Sequence, residues 1–145
     1  MIIILSALAV FIAFLIGYVR FIDIKQRYDT ACFLKKYSVA LAQNRREMML
    51  SPYDVLNKLK SDQCAISSAA ELYSYLTEIG CDGTVIDALK KYNSADISSI
   101  DNEEKLMLEA FERQYTEQSK KYNENGKLSL IVFPLIALGA VIAIL

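Results

Sequence analysis

MIIILSALAVFIAFLIGYV (residues 1–19) and LSLIVFPLIALGAVIAIL (residues 128–145) carry no ionisable side chain, and every Lys, Arg, Asp and Glu lies between Arg20 and Lys127. At the α-helical rise, stretches of this length reach roughly 27 to 29 Å, close to the hydrocarbon thickness of a bilayer. A helix satisfies all its backbone polar groups in lipid without a partner. Residues 1–19 and 128–145 therefore read as transmembrane helices, with residues 20–127 as one polar helical domain. The expected fold class is all-α: two terminal transmembrane helices flanking a cytoplasmic helical bundle.

The flanks refine this reading. The first stretch lacks a basic n-region and a small-x-small site before Arg20, so it reads as an uncleaved anchor and not a leader. Lys127 abuts the last stretch with no polar spacer, which favours a second span over a lipid-anchor signal. Arg20, Lys25 and Arg27 follow the first span, while Lys120, Lys121 and Lys127 precede the second. The positive-inside rule then places the middle domain in the cytoplasm and both termini outside, as a two-pass protein of the cell membrane.

The middle is about 108 residues, enough for one domain with a modest core. Its near-zero net charge gives no bulk attraction to nucleic acid. That balance hides an asymmetry. Residues 20–46 carry seven basic side chains against Asp23 and Asp29, whereas residues 47–127 carry nine against fifteen acidic ones. Two compatible consequences follow: the two regions attract each other, within the domain or between copies, or the basic stretch meets membrane lipid headgroups. Lys25, Arg27, Lys35, Lys36, Arg45 and Arg46 form that candidate partner or lipid face.

Helical spacing organises the domain. Ile24, Tyr28, Ala31, Leu34, Tyr37, Leu41 and Met48 recur as one stripe, predicting a helix of about 45 residues that continues out of the first span. Leu34, Leu41 and Met48 are also seven apart, the spacing of a coiled-coil seam through which copies would associate. Ser51-Pro52 restarts the chain, with Ser51 as N-cap and Asp54 in support, and gives a short helix to about Lys60 with Leu56 and Leu59 inward. Residues 66–79 form the next, burying Ala69, Leu72, Tyr73, Leu76 and Ile79 and ending at Gly80. Cys81-Asp82-Gly83 is a turn, residues 84–92 a helix burying Ile86 and Leu89, and residues 93–100 a loop. Asp101 is expected to cap the last polar helix, with Leu108, Phe111, Tyr115 and Tyr122 on one face and an interruption near Asn125-Gly126.

Within the spans, Ala9, Ala13 and Gly17 follow a small-xxx-small pattern, and Gly139 with Ala143 repeats it more briefly. Such faces let helices approach closely, on each other or on partner subunits. Pro134 should loosen the second span. Cys32, Cys64 and Cys81 lack redox or zinc spacing and read as small buried residues, an intermolecular disulfide being the alternative. The chain has no histidine, P-loop, dinucleotide fingerprint or nucleophile elbow, and Glu103, Glu104, Glu109 and Glu112 read as a solvated face. No catalytic, cofactor-binding or metal residue is expected, and no cofactor.

The order of parts, together with Gly17, Arg27, Leu34, Leu41, Glu47-Met48, Ser51-Pro52 with Leu56 and Leu59, and Lys121-Tyr122 with Gly126, resembles the stage III sporulation protein AB family. That family is related to the F-domain inner-membrane proteins of type II secretion systems. Its Leu-Gly-x-x-Asp turn and following glutamine-bearing helix have two placements here, at Ile79-Gly80-Cys81-Asp82 or in residues 111–118. The gap between Glu47-Met48 and Ser51-Pro52 is shorter than the family's. The resemblance implies a non-enzymatic platform in the mother cell of an endospore-forming bacterium, within the channel complex joining it to the forespore. Its implied partners are other sporulation-channel proteins, including a cytoplasmic ATPase that docks on the basic first or acidic last helix.

Overall fold

The computed structural model describes residues 2–47, 50–60 and 65–144, with the side chains of 6–45, 50–60 and 65–142. Helix α1 (Ile2–Glu47) runs unbroken from the first apolar stretch into the basic one. Between Met1 and Leu50 lies no proline and a single glycine, so nothing interrupts its backbone hydrogen bonding. Four further helices follow in the polar region: α2 (Pro52–Leu59), α3 (Ala69–Glu78), α4 (Gly83–Asn93) and α5 (Ile100–Lys121). One turn of π-helix (Tyr122–Gly126) then leads into α6 (Lys127–Ile144), which contains Pro134. No strand occurs among the described residues. The fold is all-α, with two helices long and apolar enough to cross a membrane flanking a helical region.

The chain packs as two compact units, one joining the residues up to Tyr28 with those from Gln118, the other comprising Asp29–Glu117. Packing thus divides the chain at different residues from polarity, which changes at Val19–Arg20 and Lys127–Leu128.

In the second unit, Leu34, Tyr37 and Leu41 of α1 meet Leu56 of α2, Leu72 and Leu76 of α3, Val85 and Leu89 of α4, and Met107 and Phe111 of α5. The Tyr37 and Phe111 rings cross edge to face at 6.3 Å, and the Tyr37 hydroxyl donates to the Pro52 carbonyl at 3.0 Å. Burying each such ring contributes roughly 2–3 kcal/mol. Leu34 and Leu41 are 1% and 3% exposed, so their seven-residue spacing is satisfied inside this chain and offers no seam to a second copy. Met48 lies outside the described residues.

Local signals explain the shorter elements. Ser51 caps α2 by accepting from the Asp54 N–H, with Pro52 at the first helical position. Leu56 is fully buried, but Leu59 is exposed near the helix end. The third helix begins at Ala69, not Ile66, because Ser68 and Glu71 form an N-terminal signature: Ser68 Oγ accepts from Glu71 N–H, and Glu71 accepts from both Ser67 N–H and Oγ. Those bonds, the Ser67 backbone N–H first, hold the Glu71 carboxyl below its ordinary pKa. Ile66 is still buried, in a segment outside the helices clamped by Asn57, which donates to its carbonyl at 2.7 Å and accepts from its N–H at 3.0 Å. Ala69, at the exposed start of α3, is not part of the core. Gly80 ends α3 with φ +87°, the left-handed conformation that favours glycine.

Asp82 then caps α4 through the Thr84 N–H. Asp101 is no cap. Helix α5 begins one residue earlier, on a turn in which the Ser99 and Ile100 N–H groups donate to the Asp96 carbonyl. The Asp101 carboxylate instead accepts from Arg45 at 2.6 Å.

Candidate functional site

The first unit pairs the two apolar segments side by side. At Gly17 they approach closely: a Cβ there would lie 2.5 Å from the Ser129 carbonyl oxygen and 3.4 Å from Phe133. Ser129 is buried, and its hydroxyl turns back to the Gly126 carbonyl at 2.8 Å, so it presents no free polar group. On the charged side of this contact, Gly126 sits beside Ile24, and Tyr122 stacks on Tyr28 at 4.8 Å with Phe21 6.2 Å away. The Arg20 guanidinium lies 6.0 Å over the Phe133 ring. Toward the other end, Val10, Phe14, Pro134 and Leu138 line an apolar cleft of about 680 Å³ with Ser6 and Val141.

Register is the informative feature. With Gly17 against Ser129, Arg20 stands about 4.5 Å and Lys127 about 3 Å further along the helix axis, toward the charged side. The first cations of both segments therefore fall at one level. The apolar windows of these helices are 6% and 11% buried, leaving large side chains such as Phe11, Ile16, Leu135 and Ile136 exposed.

The small residues divide. Gly17 is buried in the contact and Ala13 is half-buried beside it, but Ala9 is exposed and Gly139 has open space around it. Eight residues separate Ala9 from Gly17, which at 3.6 residues per turn rotates it about 80° off the contact line. The Ala143 side chain lies outside the described residues.

The basic face divides as well. In the second unit, Lys35 donates to Glu112 at 3.0 Å and sits 4.2 Å over the Tyr115 ring. The hydrogen bond to Glu112, ahead of their mutual attraction, raises the Lys35 pKa. Arg45 reaches Asp101 at 2.6 Å and Glu104 at 2.8 Å. The Glu104 side chain is 9% exposed, so it belongs to the interior and not to a solvated face: Arg45 supplies the charge that a buried carboxylate requires. Lys36 is exposed and borders a 430 Å³ groove with Cys32, Val39, Gln43 and Tyr115. Lys25 and Arg27 lie in the first unit, Arg27 paired with Asp23 at 3.1 Å. The Arg46 side chain lies outside the described residues.

Sequence reasoning missed Gln114. This buried side chain of α5 donates to the Gly80 carbonyl and accepts from the Asp82 N–H, both at 3.3 Å, clamping the turn between α3 and α4. Its position one turn after Phe111 on a stripe of apolar residues was the available signal. Burial pushes the neighbouring Cys81 thiol up to about 12, while Cys32 is half-buried and Cys64 lies outside the described residues. Among the described residues no group of three His, Cys, Asp or Glu is placed to hold a metal ion.

No protein family, curated protein or solved structure matches the chain.

Proposed function

We propose that this protein is a two-span membrane anchor whose helical domain is a non-enzymatic docking platform on the cytoplasmic side. The observation that carries the reading is the common level of Arg20 and Lys127 beside the Gly17–Ser129 contact. A bilayer requires two neighbouring spans to leave the hydrocarbon at the same depth, whereas a soluble helix pair has no such constraint. The exposed apolar side chains beyond that level and the cations on its domain side support the same arrangement.

A platform role follows from what the domain presents. Its basic and acidic helices are joined by ion pairs at Lys35 and Arg45, and the groove beside Lys36 and Val39 is an open surface of α1 next to them. The resemblance to the stage III sporulation protein AB family suggests the setting: a channel complex between mother cell and forespore, with a cytoplasmic ATPase as the docked partner. A self-associating stalk is disfavoured because Leu34 and Leu41 are core residues.

The test uses the full-length chain in bacterial membranes, with a photocrosslinking residue in place of Val39 and a reporter fused after Leu145. The platform predicts an external reporter and crosslinks from position 39 to a soluble ATPase. Symmetric self-crosslinks from position 39, or a cytoplasmic reporter, would contradict it.

A further inference from the structure

The cations nearest the apolar segments are gathered from both ends of the chain. Arg20, Lys25 and Arg27 come from α1, Lys120 and Lys121 from the end of α5, and Lys127 from the start of α6, all exposed. Asp23 and Glu124 are the acidic side chains of the same two stretches, and Asp23 is occupied by Arg27. Among the described residues, Lys25, Lys120, Lys121 and Lys127 make no ion pair. The stack of Tyr122 on Tyr28 and the seating of Gly126 beside Ile24 hold the two stretches together, so their charges add at one place.

We infer that this collar binds anionic phospholipid, taking phosphodiester headgroups in the leaflet on the domain side. The inference rests on the two-span reading above. Its chemistry is that of several ammonium groups and one guanidinium offered to a surface dense in phosphate at the depth where the hydrocarbon ends. The aromatic cluster of Phe21, Tyr28 and Tyr122 stands where amphipathic rings settle at a membrane boundary. Lys35 and Arg45 do not contribute, because Glu112, Asp101 and Glu104 already neutralise them. Lipid binding therefore belongs to the first unit and takes half its cations from the second charged stretch.

The chain has no tryptophan, so Tyr18→Trp installs a single reporter beside the collar, at a side chain 46% exposed. The full-length variant is placed in vesicles of phosphatidylcholine and phosphatidylglycerol, with brominated acyl chains on one lipid or the other at equal mole fraction. Brominated phosphatidylglycerol should quench at least about twofold more strongly. That preference should vanish when Lys25, Lys120, Lys121 and Lys127 are all changed to Gln, and shrink at about 0.5 M salt. Millimolar inorganic phosphate should leave it intact. Equal quenching by both lipids overturns the inference while the two-span reading stands. So does a preference that survives the four substitutions, or one that soluble phosphate abolishes. Absence of quenching by either lipid overturns both.

Discussion

Tyr37 ties three elements of the helical domain together through one side chain. Its ring meets Phe111 and its hydroxyl reaches the Pro52 carbonyl, so α1, α2 and α5 share a single buried contact. Burial pushes the Tyr37 and Tyr92 phenols above their ordinary range, as it does the Cys81 thiol. Each group keeps its proton in the folded chain at pH values where the unfolded chain has lost it. The stability this provides is whole below the unfolded values, near about 8.5 for a thiol and 10 for a phenol, and is lost as pH rises toward the folded ones. The stability of the domain in the full-length protein, read by denaturant unfolding, should therefore be level from about pH 6 to about pH 8.5 and weaken steadily above that range. At pH 8, iodoacetamide should modify Cys32 well before Cys81, read by mass spectrometry of the peptides. Equal rates at the two thiols would contradict the burial of Cys81.

At the scale of elements, α1 reveals which sequence signals were legible and which were not. The break at Ser51-Pro52, the glycine stop at Gly80 and the interruption before Gly126 were readable because each depends on local backbone chemistry. The inward stripe of Ala31, Leu34, Tyr37 and Leu41 was readable from period alone. What period does not encode is the partner. Leu34 and Leu41 looked equally suited to a second copy, and Glu104 to water, until α5 was brought alongside by packing remote in sequence. Start residues were missed for a related reason. Ser68 was passed over as a cap because hydrophobic spacing extends back to Ile66, past the point where backbone N–H groups need a side-chain acceptor, and Asp82 because Gly83 read as part of a turn and not as the first helical residue.

The contact between α1 and α6 makes a sharper claim. Gly17 has no room for a methyl group against the Ser129 carbonyl, whereas Gly139 has open space. Gly17→Ala should destabilise the helix pair by about 1–3 kcal/mol, as overpacking does, while Gly139→Ala should stay within about 0.5 kcal/mol of the parent. Unfolding of the full-length variants in mixed micelles, followed by circular dichroism, checks this pair. A Gly17→Ala protein as stable as the parent would contradict the packing.

For the whole molecule, the two apolar stretches were the most legible part of the sequence, because the lack of any charge over such lengths is a property of composition. Their pairing was not legible. The small-residue pattern pointed to Ala9 and Gly139 as much as to Gly17, and the contact selected Gly17 because the helix rotates the others away. Nor was the shared level of Arg20 and Lys127, which becomes meaningful once the segments lie together. The account stands on both segments residing in hydrocarbon with the polar domain in water. Nitroxides placed singly at Ile12, Ile136 and Ile97, all exposed positions, test this in vesicles by relaxation with oxygen against a water-soluble nickel complex. The account predicts oxygen-dominated relaxation at 12 and 136 and nickel-dominated relaxation at 97. Nickel access at position 12 or 136 equal to that at 97 would contradict it.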